Sequence, residues 1–415
     1  MSSPAAQDLR AERKLVAVIA AVQLVNVLDF VMVMPMGPDF AVALHIDMSH
    51  LGAIGGAYTA AAAAAGLVGS TFLDRYDRRT ALLWSMLGLA LGTLAGGFAW
   101  DLPSLLVTRV VAGLFGGPAT SIGMAIVSDC VPPERRGRAM GAVMGSFSLA
   151  SIVGVPVGLE LARQGGWRFP FLVIGALCAV VAVLARWVLP AMQGHVAKAR
   201  ENPVQLSQAL GILLRRDYWL CYLMGTSAAM SAFLLIPNLS AYTQYNLGLP
   251  RPELGTLYLY GGLASLVTMV GTGRLVDRFG ALGVTVASVV LFFGVLWSAF
   301  WSWTGAVGAV WVFVPFFVSN SARNVAFNAT VTKVPTPHER ARFMSAMSAV
   351  QHFSAAAGSF LSGAMIAERA DHGLDGMQAV AVAAFAIGAT LPLWLGLVER
   401  RLRAAGVAVG RSRSA

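Results

Sequence analysis

Twelve apolar runs of about twenty residues divide the chain, and no other feature of the sequence constrains its fold as strongly. A run of this length crosses the ~30 Å hydrocarbon core of a bilayer as an α-helix. Only 12% of the 415 residues are charged and 57% are hydrophobic, too few charges to cover a water-soluble globule. We therefore predict an all-α integral membrane protein with twelve transmembrane helices. The predicted spans are 15–36, 51–73, 81–100, 104–128, 138–161, 169–189, 218–240, 254–276, 282–303, 306–332, 343–366 and 376–398, and no strands are needed.

The basic residues predict the orientation of these helices. If the N-terminus is cytoplasmic, 24 of the 30 Lys and Arg lie in cytoplasmic loops and tails, four lie outside, and Arg109 and Arg323 fall within spans. This imbalance follows the positive-inside rule, so both termini are predicted to be cytoplasmic. It also explains the formal net charge of +10 without a nucleic-acid partner. The predicted organisation is an N-terminal tail, a six-helix half, a linker, a second six-helix half and a basic tail, over 1–14, 15–189, 190–217, 218–398 and 399–415.

The sequence lacks the motifs that a membrane enzyme needs. It contains no HExxH metal site, no P-loop and no recognisable nucleophile with its base. Its three cysteines, Cys130, Cys178 and Cys221, have no CxxC spacing and are expected to pack as small apolar residues. We therefore expect no enzymatic activity, no metal and no cofactor, and no ATP-driven step within this chain.

An internal duplication relates the two halves. Asp74-Arg75 and Asp277-Arg278 are 203 residues apart, and Val131-Pro132 and Val334-Pro335 repeat at the same offset. Two independent pairs at one offset, close to half the chain length, predict two six-helix halves in parallel repeat.

The first of these repeated loops resembles the loop 2–3 signature of the major facilitator superfamily, Gly-x-Leu-x-Asp-Arg-x-Gly-Arg-Arg. The match is carried by Asp74, Arg75, Arg78 and Arg79, with Ser70 and Asp77 in place of the two glycines. The second copy, with Asp277 and Arg278, keeps both glycines but lacks the final arginines. The resemblance implies twelve-helix transporters, with these charges latching the two halves on the cytoplasmic side. The alternative interpretation is that they are only positive-inside charges.

Two further helices indicate a branch of that family. The fourth span has Arg109 four residues before Gly113, as the family's helix 4 motif does, and the fifth carries Gly154-Val-Pro156-Val-Gly158. The latter resembles the antiporter motif Gly-Pro-x-x-Gly-Gly, although Val155 separates its first glycine and proline. With Leu28-Asp29-Phe30 in the first span, the chain looks most like the drug:proton antiporters near the sugar-efflux and bicyclomycin-type exporters.

This resemblance implies a monomeric carrier in the bacterial plasma membrane that exports a small organic molecule against protons by alternating access. A proton-coupled uptake symporter of a small, anionic metabolite remains the alternative.

Ionised side chains inside a span cost at least ~2.5–3.5 kcal/mol, so each is a candidate functional residue. At 1.5 Å per residue, Asp29 lies ~11 Å and Arg109 ~8 Å below the predicted outer surface. Because these depths match, we expect Asp29 to bind and release the coupling proton, with Arg109 as its charge partner. A permanent structural ion pair, or no contact at all, are the alternatives.

The second half offers Arg323 and His352 at similar depths. Asn320, Asn324 and Asn328 recur every four residues around Arg323, which predicts a polar stripe that either lines a cavity or pairs across helices. In a cavity, Arg323 would attract an anionic group on the substrate. His352 either titrates or only packs as a hydrogen-bonded residue. The remaining predicted cavity residues are Gln23, Asn26, Phe30, Met34, Asn238 and Tyr242.

Overall fold

The computed structural model is almost entirely helical. It describes residues 4–69, 72–193, 196, 211–303, 308–336 and 339–406. Within that part of the chain the α-helices are, in order, α1 (Pro4–Val33), α2 (Gly37–Leu44), α3 (Leu51–Gly69), α4 (Arg78–Gly96), α5 (Leu102–Cys130), α6 (Pro133–Leu149), α7 (Val155–Gly165), α8 (Arg168–Val188), α9 (Trp219–Phe233), α10 (Ile236–Ala241), α11 (Leu254–Phe300), α12 (Val310–Val331), α13 (Arg340–Met365), α14 (Met377–Ala389) and α15 (Leu391–Ala404).

Eight segments of the described chain are long and apolar enough to cross a membrane, so the predicted all-helical membrane fold is confirmed. They are Leu9–Val33, Met48–Gly69, Leu102–Cys130, Arg135–Gly165, Arg168–Val188, Arg216–Asn246, Arg251–Phe300 and Met377–Ala404. The segment Arg251–Phe300 contains two of the predicted spans. Three further predicted spans coincide with α4, α12 and α13, which are not among the eight. A total of twelve crossings and the cytoplasmic termini therefore stay predictions.

Local chemistry explains where helices break. α11 is kinked at Gly280, whose φ of 81° is a conformation that residues with a Cβ rarely adopt. Between α6 and α7 the chain forms a π-helical turn, Ala150–Gly154, because Pro156 has no N–H with which to continue the α-helical ladder. The prediction that no strands are needed is wrong at one place, since β1 (Ala367–Glu368) and β2 (Leu374–Asp375) pair in a short antiparallel hairpin.

The chain forms two compact units. One consists of Met1–Val33 and Ala60–Ala209, and the other of Met34–Thr59 and Leu210–Ala415. The sequence repeat assigned 34–59 to the first half, whereas the structure packs this segment with the second unit. Parts of the predicted linker, including His195, Lys198, Arg200 and Glu201, and the end of the basic tail lie outside the described residues.

Close backbone contacts, one ion pair and one hydrogen bond attach segment 34–59 to the rest of the second unit. A Cβ on Gly52 would lie 2.0 Å from the carbonyl oxygen of Ser359 on α13, and one on Gly363 would lie 2.4 Å from that of Ser49. Asp39 on α2 forms an ion pair with Arg251 that includes a 2.7 Å hydrogen bond from Nε. The backbone N–H of Met48 donates to Glu368 on the hairpin at 2.7 Å.

Gly52→Ala should destabilise this packing, since its new Cβ meets backbone that cannot move aside as a side chain can. Gly66→Ala on the same helix is the matched control, because a Cβ there meets nothing within 4 Å. We expect Gly52→Ala to melt several degrees below wild type in detergent, and Gly66→Ala to melt at or above it because alanine favours the helix. Equal melting temperatures for the two variants would contradict the close approach.

Candidate functional site

A buried ion pair joins α1 to α5. The Asp29 side chain is fully buried and Arg109 is 1% exposed. Arg109 Nη2 donates to Asp29 Oδ1 at 3.1 Å and Nη1 to Oδ2 at 3.3 Å, so the contact is bidentate. The structure thus brings together the two residues that the sequence placed at similar depth. Asp29 lies four residues before the end of α1, which ends earlier than predicted because the chain turns at Met34–Met36.

Two neighbouring side chains complete the surroundings of the pair. Thr93 Oγ1 on α4 lies 2.7 Å from Asp29 Oδ1 and 2.8 Å from the carbonyl oxygen of Leu89. On the other side, the Arg109 guanidinium lies 5.3 Å from the centre of the Phe171 ring on α8. Four helices therefore meet at this ion pair. Thr93 can stabilise the charged carboxylate, whereas Phe171 contributes a cation–π contact to its partner.

The glycine–proline motif lies against the same stretch of α1. A Cβ on Gly154 would come within 1.8 Å of Leu28 Cδ2, and one on Gly158 would lie 3.5 Å from Met32 Cβ. Leu28 directly precedes Asp29. The motif begins at the last residue of the π-helical turn and continues into α7, and its glycines therefore allow this part of the chain to approach α1 next to the carboxylate.

The energetics of the pair give it two possible roles. Burying either ion alone costs several kcal/mol, and mutual attraction with good hydrogen bonds offsets that cost. A proton on Asp29 would remove one charge and weaken the pair, so the site is able to respond to protonation. It could equally hold α1 and α5 together permanently.

Arg323 in the second unit is buried against a serine and an aromatic ring. Its side chain is 1% exposed, Nη1 donates to Ser231 Oγ at 3.1 Å, and its guanidinium lies 4.2 Å from the centre of the Phe292 ring. Asn320 Oδ1 is a distant third partner at 3.5 Å. Asn324 and Asn328 are exposed, whereas Arg323 is buried, and the cavity stripe stays a prediction.

Several other predicted cavity residues are used in packing. Asn26 donates to the carbonyl oxygen of Gly116 at 2.8 Å and to Thr120 at 2.7 Å, both on α5. Asn238 is fully buried and donates to Ser362 at 2.8 Å, and the Tyr242 hydroxyl donates to the carbonyl oxygen of Ala299 at 2.9 Å. Each of these side chains therefore hydrogen-bonds to another helix of its own unit, and a role in lining a cavity stays a prediction.

The rest of the predicted set is dispersed. Met34 is buried beneath Gly55, Gln23 is buried, and Phe30 is half-buried. His352 is half-buried, and its Nδ1 lies 2.8 Å from the carbonyl oxygen of Ser348 one turn before it, as a packing histidine would.

The arginines of the loop signature contact their own unit. Arg78 forms an ion pair with Asp129 at 3.1 Å, and Arg79 donates to the carbonyl oxygen of Leu189 at 3.3 Å. Arg75 is exposed, Asp277 and Arg278 are exposed in the second copy, and the side chain of Asp74 lies outside the described part. The latch between the halves therefore stays a prediction.

Asp77, which replaces a glycine of the signature, caps α4. Burial tends to raise the pKa of this carboxyl, but hydrogen bonds from the backbone N–H groups of Thr80 and Met192 outweigh it and hold the pKa below its usual range. The substitution thus fixes the start of α4 to the chain that follows α8.

Sequence reasoning missed four residues that form the surroundings of the buried arginines. Thr93, Phe171, Ser231 and Phe292 are common in membrane helices, and only three-dimensional packing distinguishes them from their neighbours. The repeat contained one usable signal, since Ser231 lies 202 residues after Asp29, within one residue of the repeat offset.

A double-mutant cycle should show that the Asp29–Arg109 pair is energetically coupled. Arg109→Gln alone leaves a buried carboxylate without its counter-ion and should lower the free energy of unfolding by ~3–5 kcal/mol. Combining it with Asp29→Asn should restore much of that loss, because the remaining amides can hydrogen-bond. The free energy of unfolding of the single and double variants is measured in detergent. If the losses of the two single variants simply add in the double variant, the two residues are not energetically coupled.

Comparison with known proteins identifies the family. The model of the Major Facilitator Superfamily matches residues 19–359. A chloramphenicol resistance protein from Streptomyces lividans is 24% identical over 262 residues, covering 63% of this chain and 66% of that protein. A 3-(3-hydroxy-phenyl)propionate transporter from Escherichia coli (strain K12) is 27% identical over 292 residues, covering 64% of this chain and 69% of that protein. The chain spans about two thirds of the length of the Streptomyces relative.

Solved structures share the fold at low sequence identity. A bacterial homolog of the human lysosomal transporter Spinster superposes with a TM-score of 0.72 at 15% identity, covering 96% of this chain and 98% of that one. The nucleoside transporter NupG superposes with a TM-score of 0.71 at 12% identity, covering 94% of this chain and 99% of that one. Because the family model covers well over half of its residues, the chain belongs to the Major Facilitator Superfamily, whose members are transporters and not enzymes.

Proposed function

We propose that this transporter is a proton-coupled antiporter that exports a small organic molecule across the bacterial plasma membrane. Asp29 carries the proton, and Arg109 takes the place of the proton as the partner of the carboxylate. The single observation that supports this role is the bidentate Asp29–Arg109 pair, buried where four helices meet.

The mechanism is a competition for one carboxylate. When Asp29 is charged, it holds Arg109 and, through it, α5 against α1. A proton on Asp29 neutralises the carboxylate, weakens the pair and favours a second arrangement of the same helices. Asp29 is fully enclosed in the present structure, so the proton must enter and leave in a different conformation. Coupling follows if substrate binds only one of the two arrangements.

The motif beside the pair supports export. Gly154 and Gly158 let α7 approach α1 next to Asp29, so a change in the pair alters the contact between these helices. The similarity to a chloramphenicol resistance protein favours the same direction.

An uptake symporter is the second candidate, and Arg323 is the observation that favours it. A buried cation suits an anionic metabolite better than a cationic drug. The Escherichia coli relative, named as a transporter of 3-(3-hydroxy-phenyl)propionate, is similar to this chain over a comparable length.

Asp29→Asn in proteoliposomes tests the proton carrier. We expect it to abolish accumulation driven by a pH gradient while leaving substrate–substrate counterflow, because the amide can neither gain nor lose a proton. Asp217→Asn, which changes an exposed carboxylate, is the matched control and should behave as wild type. Gradient-driven transport by Asp29→Asn at the wild-type rate would exclude Asp29 as the carrier, and loss of both activities would favour the permanent structural pair.

The direction of coupling can be measured with a pH-sensitive dye trapped inside the liposomes. The substrate is first identified by a growth screen of cells that express the protein, tested against toxic compounds, sugars and metabolites and beginning with chloramphenicol. When that substrate is added outside, an antiporter releases protons and the lumen becomes alkaline. Acidification of the lumen would contradict antiport and establish the symporter.

A further inference from the structure

We propose that Arg323 is a binding site for the carboxylate group of an organic anion, which makes such anions the substrate class. This inference rests on the proposed transport function and deepens it. The contacts of Arg323, the sequence repeat, and the aromatic rings beside its guanidinium support it.

The hydrogen bonds of Arg323 are incomplete. A guanidinium has five N–H donors, yet among the described residues only Ser231 accepts at a short distance, 3.1 Å, and Nε has no acceptor. Within the described part of the chain, no carboxylate lies within ion-pair distance of it. Buried charges in proteins are normally paired, so the missing partner is an anion.

Comparison with the first half shows which group is missing. There, Arg109 lies against an aromatic ring on α8 and is neutralised by Asp29 on α1. In the second half, Arg323 likewise lies on an aromatic ring, Phe292, but the residue that approximately corresponds to Asp29 in the repeat is Ser231. Arg323 itself lies 214 residues after Arg109 and is not its exact repeat counterpart. The similarity is one of surroundings: each guanidinium lies on an aromatic ring, but of the two only Arg109 has a carboxylate partner among the described residues.

The surroundings also indicate the kind of anion. Gly388 on α14 packs directly against the guanidinium, since a Cβ there would lie only 3.0 Å from Arg323 Nη1. The Phe292 ring in turn lies beside a second ring, that of Phe316, with 6.1 Å between the ring centres. Aromatic rings beside a cation suit an anion with an apolar body, such as an aromatic carboxylate, better than a hydrated inorganic ion.

The first test supplies the missing carboxylate from the protein itself. Ser231→Asp places it beside Arg323, whereas Ser227→Asp, the matched control, places it one turn earlier, where the hydroxyl faces Thr390 at 2.7 Å. We expect Ser231→Asp to melt at or above the wild-type temperature and Ser227→Asp to melt several degrees lower. If Ser231→Asp melts as low as Ser227→Asp, Arg323 does not lack a counter-ion.

The second test measures ligand binding to the purified full-length protein in detergent. Unfolding is followed with a thiol-reactive dye, since Cys178 and Cys221 are buried in the folded protein. Benzoate, phenylacetate and 4-hydroxybenzoate are each compared with the corresponding amide, and sodium chloride is added at equal concentration. We expect at least one carboxylate to raise the melting temperature by several degrees, while its amide and chloride do not.

The variants connect that shift to Arg323. It should disappear in Arg323→Gln and in Ser231→Asp, whose internal carboxylate occupies the site, and persist in Ser227→Asp. A shift that survives in Ser231→Asp, amides as effective as acids, or no response to any of the three carboxylates would overturn the proposal. An equal response to chloride would assign the site to inorganic anions and also overturn it. The melting experiment needs no proton gradient, so its outcome is independent of whether Asp29 carries the proton.

Discussion

The charges of Asp29 and Arg109 are stable inside the helical core only because each neutralises the other. Neither would be tolerated alone at this depth, where the effective cost of an unpaired ion is several kcal/mol. Pairing them joins α1 to α5, Thr93 brings in α4, and Phe171 brings in α8. The packing of Gly154 against Leu28 adds α7 to the same region of α1. A change in one proton at this position therefore acts on several helices at once.

The two halves of the repeat differ in the partner of a buried arginine. Arg109 has its carboxylate within the protein, whereas Arg323 has a serine and an aromatic ring. A carrier built in this way can separate its two tasks. In the proposed mechanism, a proton is exchanged at the Asp29–Arg109 pair in the first half, and an anion is bound at Arg323 in the second. A substitution at one site then leaves the residues of the other site unchanged.

Much of the fold follows from the sequence, because span length and the repeat are local or periodic signals. The Asp29–Arg109 contact could be predicted since two rare charges lay at matching depth. The roles of Asn238, Tyr242 and the asparagines of α12 could not be predicted in the same way. Whether a polar residue in a helix faces a cavity or a neighbouring helix depends on helix rotation and packing, which periodicity alone does not determine. Segment 34–59 illustrates this, since Gly52 and Gly56 pack on α13 and not on the half that the repeat assigns.

Infrared difference spectroscopy of the purified transporter tests the central claim most directly, because it detects a carboxyl group gaining or losing a proton. Addition of a transported substrate should produce a difference band in the protonated-carboxyl region, since substrate binding shifts the equilibrium between the two arrangements. The account predicts that this band is present in wild type and in Asp217→Asn and absent in Asp29→Asn. A band that is unchanged in Asp29→Asn would show that the coupling proton is bound elsewhere.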